Sequence, residues 1–228
     1  MSKVKNELDK IVKFLKTTKW EVNKSNDEGR VNSKLDEDNI ISLLKKKFGK
    51  KIQTPQIRDM ADFVLKVGHS IPVNIKTSIG SSDNATSKLG ILYSFTDMTY
   101  EEMPKTISWN KMFALLEKRK KDLKRDYYYL CIDKNDTKNV LCRGLKEVVE
   151  WRTNPSNNLQ INWEKEKKTK PRKQSFEKSY DLIVTLLQEC FKKDMRNKID
   201  FLSYGLKKSE KISLQHILAT WQFKQTII

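Results

Sequence analysis

The chain has 228 residues, of which 46 are basic and 29 acidic, so its formal net charge is +17. Hydrophobic residues make up 37% of it, which is enough to fill a core and excludes a disordered protein. No apolar run approaches the roughly 18 residues that a membrane-spanning helix needs, so we expect no membrane association.

The excess of positive charge indicates a polyanionic partner. Basic side chains that neutralise phosphates release bound counterions, and each such contact adds affinity for nucleic acid. A lysine-rich surface that reflects only an AT-rich genome is the alternative, because Lys, Asn and Ile are all abundant. Charge alone therefore favours a nucleic-acid-binding protein without defining what it does there.

The cysteines and histidines give no sign of a disulfide framework or a zinc site. Cys131, Cys142 and Cys190 are odd in number and lack CxxC spacing, so we expect reduced, buried thiols. His69 and His216 are too far apart to suggest zinc ligation. The first ten residues lack the apolar core of a signal peptide, and we expect a cytoplasmic protein of a bacterial cell.

Hydrophobic periodicity and turn residues predict the following elements in chain order. A helix over 3–17 is followed by a polar loop over 20–34 and by a helix that opens at Asp36 and ends at Gly49. The next segments are strands at 61–67 and 71–76, a polar loop at 79–88, a helix at 109–123, and hairpin strands at 127–132 and 139–142. The last are a short helix at 145–151, a strand at 158–163, a long helix at 176–199 capped by Ser175, and a short helix at 214–223.

The amphipathic first helix has two interpretations that the sequence does not separate. Its apolar residues repeat at helical spacing over 3–17. The apolar face can cover the sheet of the same chain, or it can contribute to a dimer.

The stretch from 60 to 78 carries the candidate chemistry. Asn74 and Lys76 lie two residues apart on the second predicted strand, so they share one face, opposite Val73 and Ile75. If the two strands pair as a hairpin, Asp62 on the first strand faces this polar pair. A carboxylate, an amide and a lysine on one face can hold a divalent metal beside a phosphodiester. Solvent-facing polar residues on an ordinary hairpin are the alternative.

Two further segments are candidates for DNA contact. The loop at 79–88 is small and polar, so it can enter a DNA groove or simply act as a linker. The run at 165–173 is the densest positive segment of the chain. It follows a short strand directly, so it can track a phosphate backbone, although charge runs are more often solvated faces.

In the order of its elements, the chain resembles the PD-(D/E)XK nucleases, and within them the type II restriction endonucleases of the HincII-like and EcoRV-like branch. An acidic helix start precedes ADFVL at 61–65, and VNIKTS at 73–78 is similar to the strand of those enzymes that ends in Lys-Thr. The later LQINW at 159–163 is similar to a strand that enters the major groove. The resemblance covers roughly 36–198 in element order, with only short segments matching closely.

The resemblance implies a Mg²⁺ site with defined roles. Asp62 would be a metal ligand, the backbone carbonyl of Ile75 a further ligand, and Lys76 the group that activates the attacking water. Asn74 stands where the family usually has Asp or Glu, and an amide oxygen brings no charge to the ion. Asp38, Asp59 or the scissile phosphate would then supply the missing charge.

The resemblance also implies a DNA interface. Gln160 and Asn162 would read bases, because amide side chains pair bidentately with adenine. The loop would contact the minor-groove side through Ser78, Ser81, Ser82, Asn84, Thr86 and Lys88. The basic run would contact the DNA backbone through Lys165, Lys167, Lys168, Lys170, Arg172 and Lys173.

We therefore expect one α/β domain over 1–228, with a mixed central β-sheet flanked by helices in a restriction-endonuclease-like core. The expected activity is a Mg²⁺-dependent type II endonuclease, a homodimer that cuts both strands of a palindromic site and leaves blunt ends with 5′-phosphates. A cognate DNA methyltransferase would be encoded nearby. The alternatives are a structure-specific repair nuclease of the same superfamily and a non-catalytic basic DNA-binding protein.

Overall fold

The structure is a computed structural model that describes residues 3–20, 29–56, 59–78, 82–84, 88–154 and 158–203. Within these ranges, the side chains of 29–33, 78, 82–84, 158 and 194–203 fall outside the description. The predicted helix at 214–223, together with His216, Ser81 and Thr86, lies outside the described residues.

The described residues form six α-helices and eight strands. The helices are α1 (Lys3–Thr17), α2 (Gly29–Phe48), α3 (Lys88–Phe95), α4 (Trp109–Arg119), α5 (Trp163–Glu166) and α6 (Phe176–Ser203). The strands are β1 (Ile52–Gln53), β2 (Phe63–Lys66), β3 (Ser70–Ser78), β4 (Ser82–Asn84), β5 (Tyr128–Asp133), β6 (Val140–Gly144), β7 (Trp151–Asn154) and β8 (Asn158–Asn162). None of these helices combines the length and apolar character needed to cross a membrane.

The strands form two sheets. The larger is a five-stranded mixed sheet in the order β1-β2-β3-β5-β6, in which β3 and β5 are parallel and the other pairs are antiparallel. The smaller is a three-stranded antiparallel sheet in the order β4-β8-β7. The parallel pair is connected through α3 and α4, as parallel strands require a crossover. The fold is therefore α/β with a mixed sheet flanked by helices, as the sequence predicts.

Apolar side chains cover both faces of the larger sheet. On β3, Ile71, Val73 and Ile75 pack with Leu8, Ile11 and Leu15 of α1 and Ile40, Ile41 and Leu44 of α2. On the opposite face, Tyr129 and Cys131 of β5 pack with α3, α4, α6 and the smaller sheet. Because side chains alternate along a strand, Asn74 and Lys76 lie on the face of β3 opposite Val73 and Ile75. The apolar stripe of α1 is buried against the sheet, which answers the question that its sequence left open.

Most predicted elements are confirmed, some with shifted ends. The first helix has the predicted bounds, and Gly49 ends α2 with a φ of +58°, a conformation that glycine adopts at low cost. Ser175 caps α6 by accepting a hydrogen bond from the backbone of Lys178 at 3.3 Å. The three cysteines are free thiols.

Three predictions are wrong. Residues 82–84, expected in the polar loop at 79–88, form β4. Residues 29–34, expected in a loop, belong to α2, since a helix that is already nucleated gains one backbone bond for each residue added. Residues 145–151, expected as a helix, form one 3₁₀ turn at Leu145–Glu147 and then enter β7. In this segment, backbone carbonyls bond to a residue distant in the sequence and not to a helical neighbour. The Arg172 side chain donates to the carbonyls of Val148 and Val149 at 3.1 Å each.

A buried carboxylate joins the two sheets. The side chain of Glu166 is fully buried and accepts from Arg143 Nε on β6 at 2.9 Å. Its second oxygen accepts from the backbone N–H groups of Val149 and Glu150 at 2.9 and 2.8 Å. The carboxylate thus neutralises the charge of Arg143 and also accepts hydrogen bonds from two backbone N–H groups.

We expect Glu166→Ala to lower the free energy of unfolding by about 3 to 5 kcal/mol, because it leaves a buried guanidinium without its counter-charge. Urea denaturation followed by circular dichroism measures this change. The control is Glu164→Ala, whose exposed carboxylate lies 3.7 Å from Lys168 and should contribute less than about 1 kcal/mol. Equal effects of the two variants would contradict the role given to Glu166.

Candidate active site

Asp62 is bound to the backbone of β3 at the point where β2 begins. Its N–H donates to the carbonyl of Val73 at 3.0 Å, and its Oδ2 accepts from the N–H of Ile75 at 2.5 Å. The adjacent Phe63 pairs with Val73 in the sheet. Asp62 therefore bonds to the backbone of β3 on either side of Asn74, at Val73 and at Ile75. Its carboxylate lies along the edge of β3.

Two neutral oxygens belong to the stretch of β3 that Asp62 contacts. Both backbone groups of a strand residue point toward the same neighbouring strand, so the carbonyl of Ile75 is on the side where its N–H meets Asp62. Asn74 lies between the two backbone contacts, and its Oδ1 is buried with no hydrogen-bond partner among the described residues. A buried acceptor without a partner is costly, and a bound cation would satisfy it.

The positive charge of Lys76 acts on the Asp62 carboxyl. Burial raises the pKa of the Asp62 carboxyl above its usual range, while the Ile75 N–H and the positive charge of Lys76 oppose that shift. The two charges lie close enough for their electrostatic interaction to reach the carboxyl, as the predicted site requires.

Glu37 of α2 is a further acidic residue at this site, and the sequence analysis did not name it. Burial and the negative charge of Asp62 raise the pKa of Glu37 to about 7, while Lys76 acts in the opposite sense. Asp62 and Lys76 both act on this carboxyl, so the three side chains form one electrostatic cluster. A signal for Glu37 was present in the sequence, because it precedes the buried Ile41 and Leu44 by four and seven residues.

Asp38 and Asp59, which the sequence analysis named as alternative sources of the missing charge, lie in different surroundings from each other. Asp38 is exposed on α2, and its charge contributes to the raised pKa of Glu37. Asp59 accepts from the hydroxyl of Tyr100 and from the N–H of Met60, both at 2.7 Å. Glu37 is thus a further candidate carboxylate, since the charges of Asp62 and Lys76 both affect it.

The donor set fits a hard divalent cation. Two carboxylates, one amide oxygen and one backbone carbonyl are the kinds of ligand that Mg²⁺ accepts, usually with water completing the shell. Among the described residues, no three His, Cys, Asp or Glu side chains gather at one point. A metal bound here would thus have two charged ligands, Glu37 and Asp62, with Asn74 and Ile75 as neutral ones.

The structure brings the two candidate base-contacting segments together. In the smaller sheet, Ser82 of β4 pairs with Asn162 of β8, and Asn84 pairs with Gln160. Gln160 is partly exposed in the central strand, whereas Asn162 is buried and accepts from the N–H of Lys165 at 3.1 Å as the cap of α5. The structure thus gives the Asn162 side chain a capping contact within the chain.

The candidate phosphate-contacting residues divide into two groups. The exposed ones are Lys165, Lys168, Lys170 and Lys173. The others have contacts within the chain: Lys167 pairs with Asp133 at 2.9 Å, Arg172 donates to two carbonyls, and Lys88 donates to the carbonyl of Ile107 at 3.0 Å. Ser78, at the end of β3, lies beside Asp133 in the sheet register.

Comparison of the chain with protein-family models, with curated proteins and with solved structures returned no match.

The raised pKa of Glu37 predicts a pH-dependent stability in the metal-free protein. A carboxyl whose folded pKa of about 7 exceeds its ordinary value near 4.5 favours the fold when protonated, so stability is lost as the pH rises from about 4.5 through 7. We expect Glu37→Gln to abolish this loss and to gain about 1 to 2 kcal/mol at pH 8 relative to wild type, allowing for its partial exposure.

Urea unfolding in EDTA across pH 5 to 8 measures this difference. Glu117→Gln, an exposed carboxyl on α4, is the matched control and should keep the wild-type slope. Parallel slopes for wild type and Glu37→Gln would mean that the Glu37 carboxyl is not held beside Asp62.

Proposed function

We propose that the chain is a Mg²⁺-dependent DNA endonuclease, a type II site-specific enzyme of the PD-(D/E)XK kind. The observation that carries the proposal is the electrostatic coupling of Glu37, Asp62 and Lys76, together with the buried Oδ1 of Asn74, which has no hydrogen-bond partner among the described residues. A cation site near a lysine suits a phosphodiester, whose negative charge both attract.

The order of elements supports the proposal. A helix carrying an acid, a strand preceded by Asp62, and a strand carrying Lys76 follow one another, with β5 added in parallel after a helical crossover. This is the succession of helix, Asp strand and Lys strand that the sequence resemblance implies. The order matters chemically because the three coupled side chains, Glu37, Asp62 and Lys76, come from three different segments of the fold.

The residues of the chain would divide the chemistry between them. Glu37, Asp62, Asn74 and the Ile75 carbonyl would hold Mg²⁺, which when bound polarises the phosphate and lowers the pKa of water. Lys76 would orient the attacking water and stabilise negative charge that develops on the phosphoryl oxygens. In-line attack on phosphorus would leave a 5′-phosphate and a 3′-hydroxyl.

The charge of the chain supports DNA as the substrate. A net charge of +17 favours binding to a phosphate backbone, and four exposed lysines follow the smaller sheet directly. That sheet carries Gln160, whose amide can read a base edge. We propose that a homodimer cuts a palindromic site to blunt ends, since a two-fold axis relating two chains matches two-fold symmetry in the target. A methyltransferase encoded nearby would protect the host.

We expect Lys76→Ala to reduce DNA cleavage by at least about 100-fold, because the charge that stabilises the transition state is lost. Binding of DNA in Ca²⁺, measured by gel shift, should change little. The control is Lys46→Ala, an exposed lysine nine residues beyond Glu37 on α2, about 13 Å along the helix axis.

Plasmid digestion separates the rivals in the same experiment. Discrete fragments from the wild type indicate a site-specific enzyme, whereas cutting only at branched or damaged DNA indicates a repair nuclease. Cleavage by Lys76→Ala at the wild-type rate would exclude the assigned site. Binding without any cleavage by the wild type would indicate a non-catalytic DNA-binding protein.

The variant Asn74→Asp tests whether the Asn74 side chain is a neutral ligand of the cation. A third carboxylate adds a negative charge at the cation site, so we expect the Mg²⁺ concentration for half-maximal cleavage to fall about 3- to 10-fold. Cleavage rates over a Mg²⁺ titration measure this change, and Asn135→Asp in the exposed β5–β6 turn is the control. An unchanged Mg²⁺ requirement would argue that Asn74 does not contact the ion.

A further inference from the structure

The turn between β5 and β6 makes an ion pair with the helix that carries Glu37. Lys134 follows directly after β5, and its Nζ lies 3.0 Å from Oδ2 of Asp36 on α2. Asp36 is the residue immediately before Glu37. Two consecutive residues of α2 therefore face two different parts of the molecule, one toward the β5–β6 turn and one toward the candidate metal site.

The ion pair is buried, so it constrains the helix strongly. The Asp36 side chain is 0% exposed and that of Lys134 is 15% exposed. A buried carboxylate without a counter-charge is costly, and α2 cannot rotate or slide without separating the pair. Successive helical residues are about 100° apart around the axis, so fixing Asp36 also fixes the direction of Glu37.

The turn that carries Lys134 is itself held firmly. The Asp133 side chain accepts from the N–H of Asn135 at 2.9 Å, from Nδ2 of Asn139 at 3.3 Å and from Nζ of Lys167 at 2.9 Å. Lys167 follows α5, which continues from the central strand of the smaller sheet. Lys134 therefore extends from a turn anchored to both sheets, and it can act as a fixed support.

We propose that Lys134 is a positioning residue for the metal site: by pairing with Asp36 it sets the rotation of α2 that aims Glu37 at Asp62. The proposal rests on the proposed function, because it assigns Lys134 a part in that same site. Lys134 does not contact the metal or the DNA. Its effect on metal binding passes entirely through the helix.

Mn²⁺ binding to the metal-free chain, measured by calorimetry without DNA, tests the proposal independently of cleavage. Residues that orient metal ligands typically change metal affinity by about 10- to 100-fold when they are removed. We expect Lys134→Ala to weaken Mn²⁺ binding about 10-fold, while Lys134→Arg, which keeps the charge, stays within about 3-fold of wild type. Lys138→Ala, an exposed lysine of the same turn, should bind as wild type does.

A second variant guards against a loss of folding. Asp36→Asn combined with Lys134→Met leaves no buried charge unpaired, so it should fold as judged by urea denaturation in EDTA. Because the directional pair is gone, it should still bind Mn²⁺ about 10-fold more weakly. Wild-type affinity in this double variant would overturn the proposal.

The outcomes separate this inference from the proposed function. A wild-type chain that binds Mn²⁺ but never cuts DNA overturns the nuclease and leaves the role of Lys134 standing. A wild-type chain that cuts DNA, with a Lys134→Ala variant of unchanged Mn²⁺ affinity, overturns the role of Lys134 alone.

Discussion

The hydrogen bond from the Ile75 N–H to the Asp62 carboxylate is the contact on which the candidate site depends. It forms just before β2 begins, so the Asp62 carboxylate accepts the Ile75 N–H in the place where a longer β2 would provide a backbone carbonyl. This contact fixes the carboxylate against β3 within hydrogen-bonding distance. The backbone carbonyl of Ile75 lies on the same side of β3 as this contact.

The negative charge of Asp62 disfavours the ionised form of Glu37, and a bound cation would reduce this repulsion. Glu37 and Asp62 are both partly desolvated, and the negative charge of Asp62 raises the energy of the ionised form of Glu37. Lys76 offsets part of this repulsion. Perturbed pKa values of this kind are common at functional sites, because groups whose ionised forms are disfavoured gain most from binding an opposite charge.

The sequence predicts the sheet better than the helices around the site. Asp62, Asn74 and Lys76 could be assigned to one hairpin because strand alternation is a strict geometric rule. Glu37 was missed because the acidic start of a helix has an ordinary explanation in the helix dipole. The spacing of Glu37 to the buried Ile41 and Leu44 indicates an inward side chain, but only the packing of α2 shows which charged groups that side chain meets. Likewise, β7 (Trp151–Asn154) is absent from the predicted strands because a strand this short is identified by its pairing with β8 and not by local periodicity.

The smaller sheet has a consequence for how the chain folds. Strands β7 and β8 form a local hairpin, but β4 joins β8 across about 80 residues of intervening chain. Closing so long a loop costs conformational entropy before any contact compensates for it, so this pairing should come late in folding. The sheet that carries Gln160 in its central strand would then be completed only after the larger sheet has formed. A newly made chain would thus acquire this surface last.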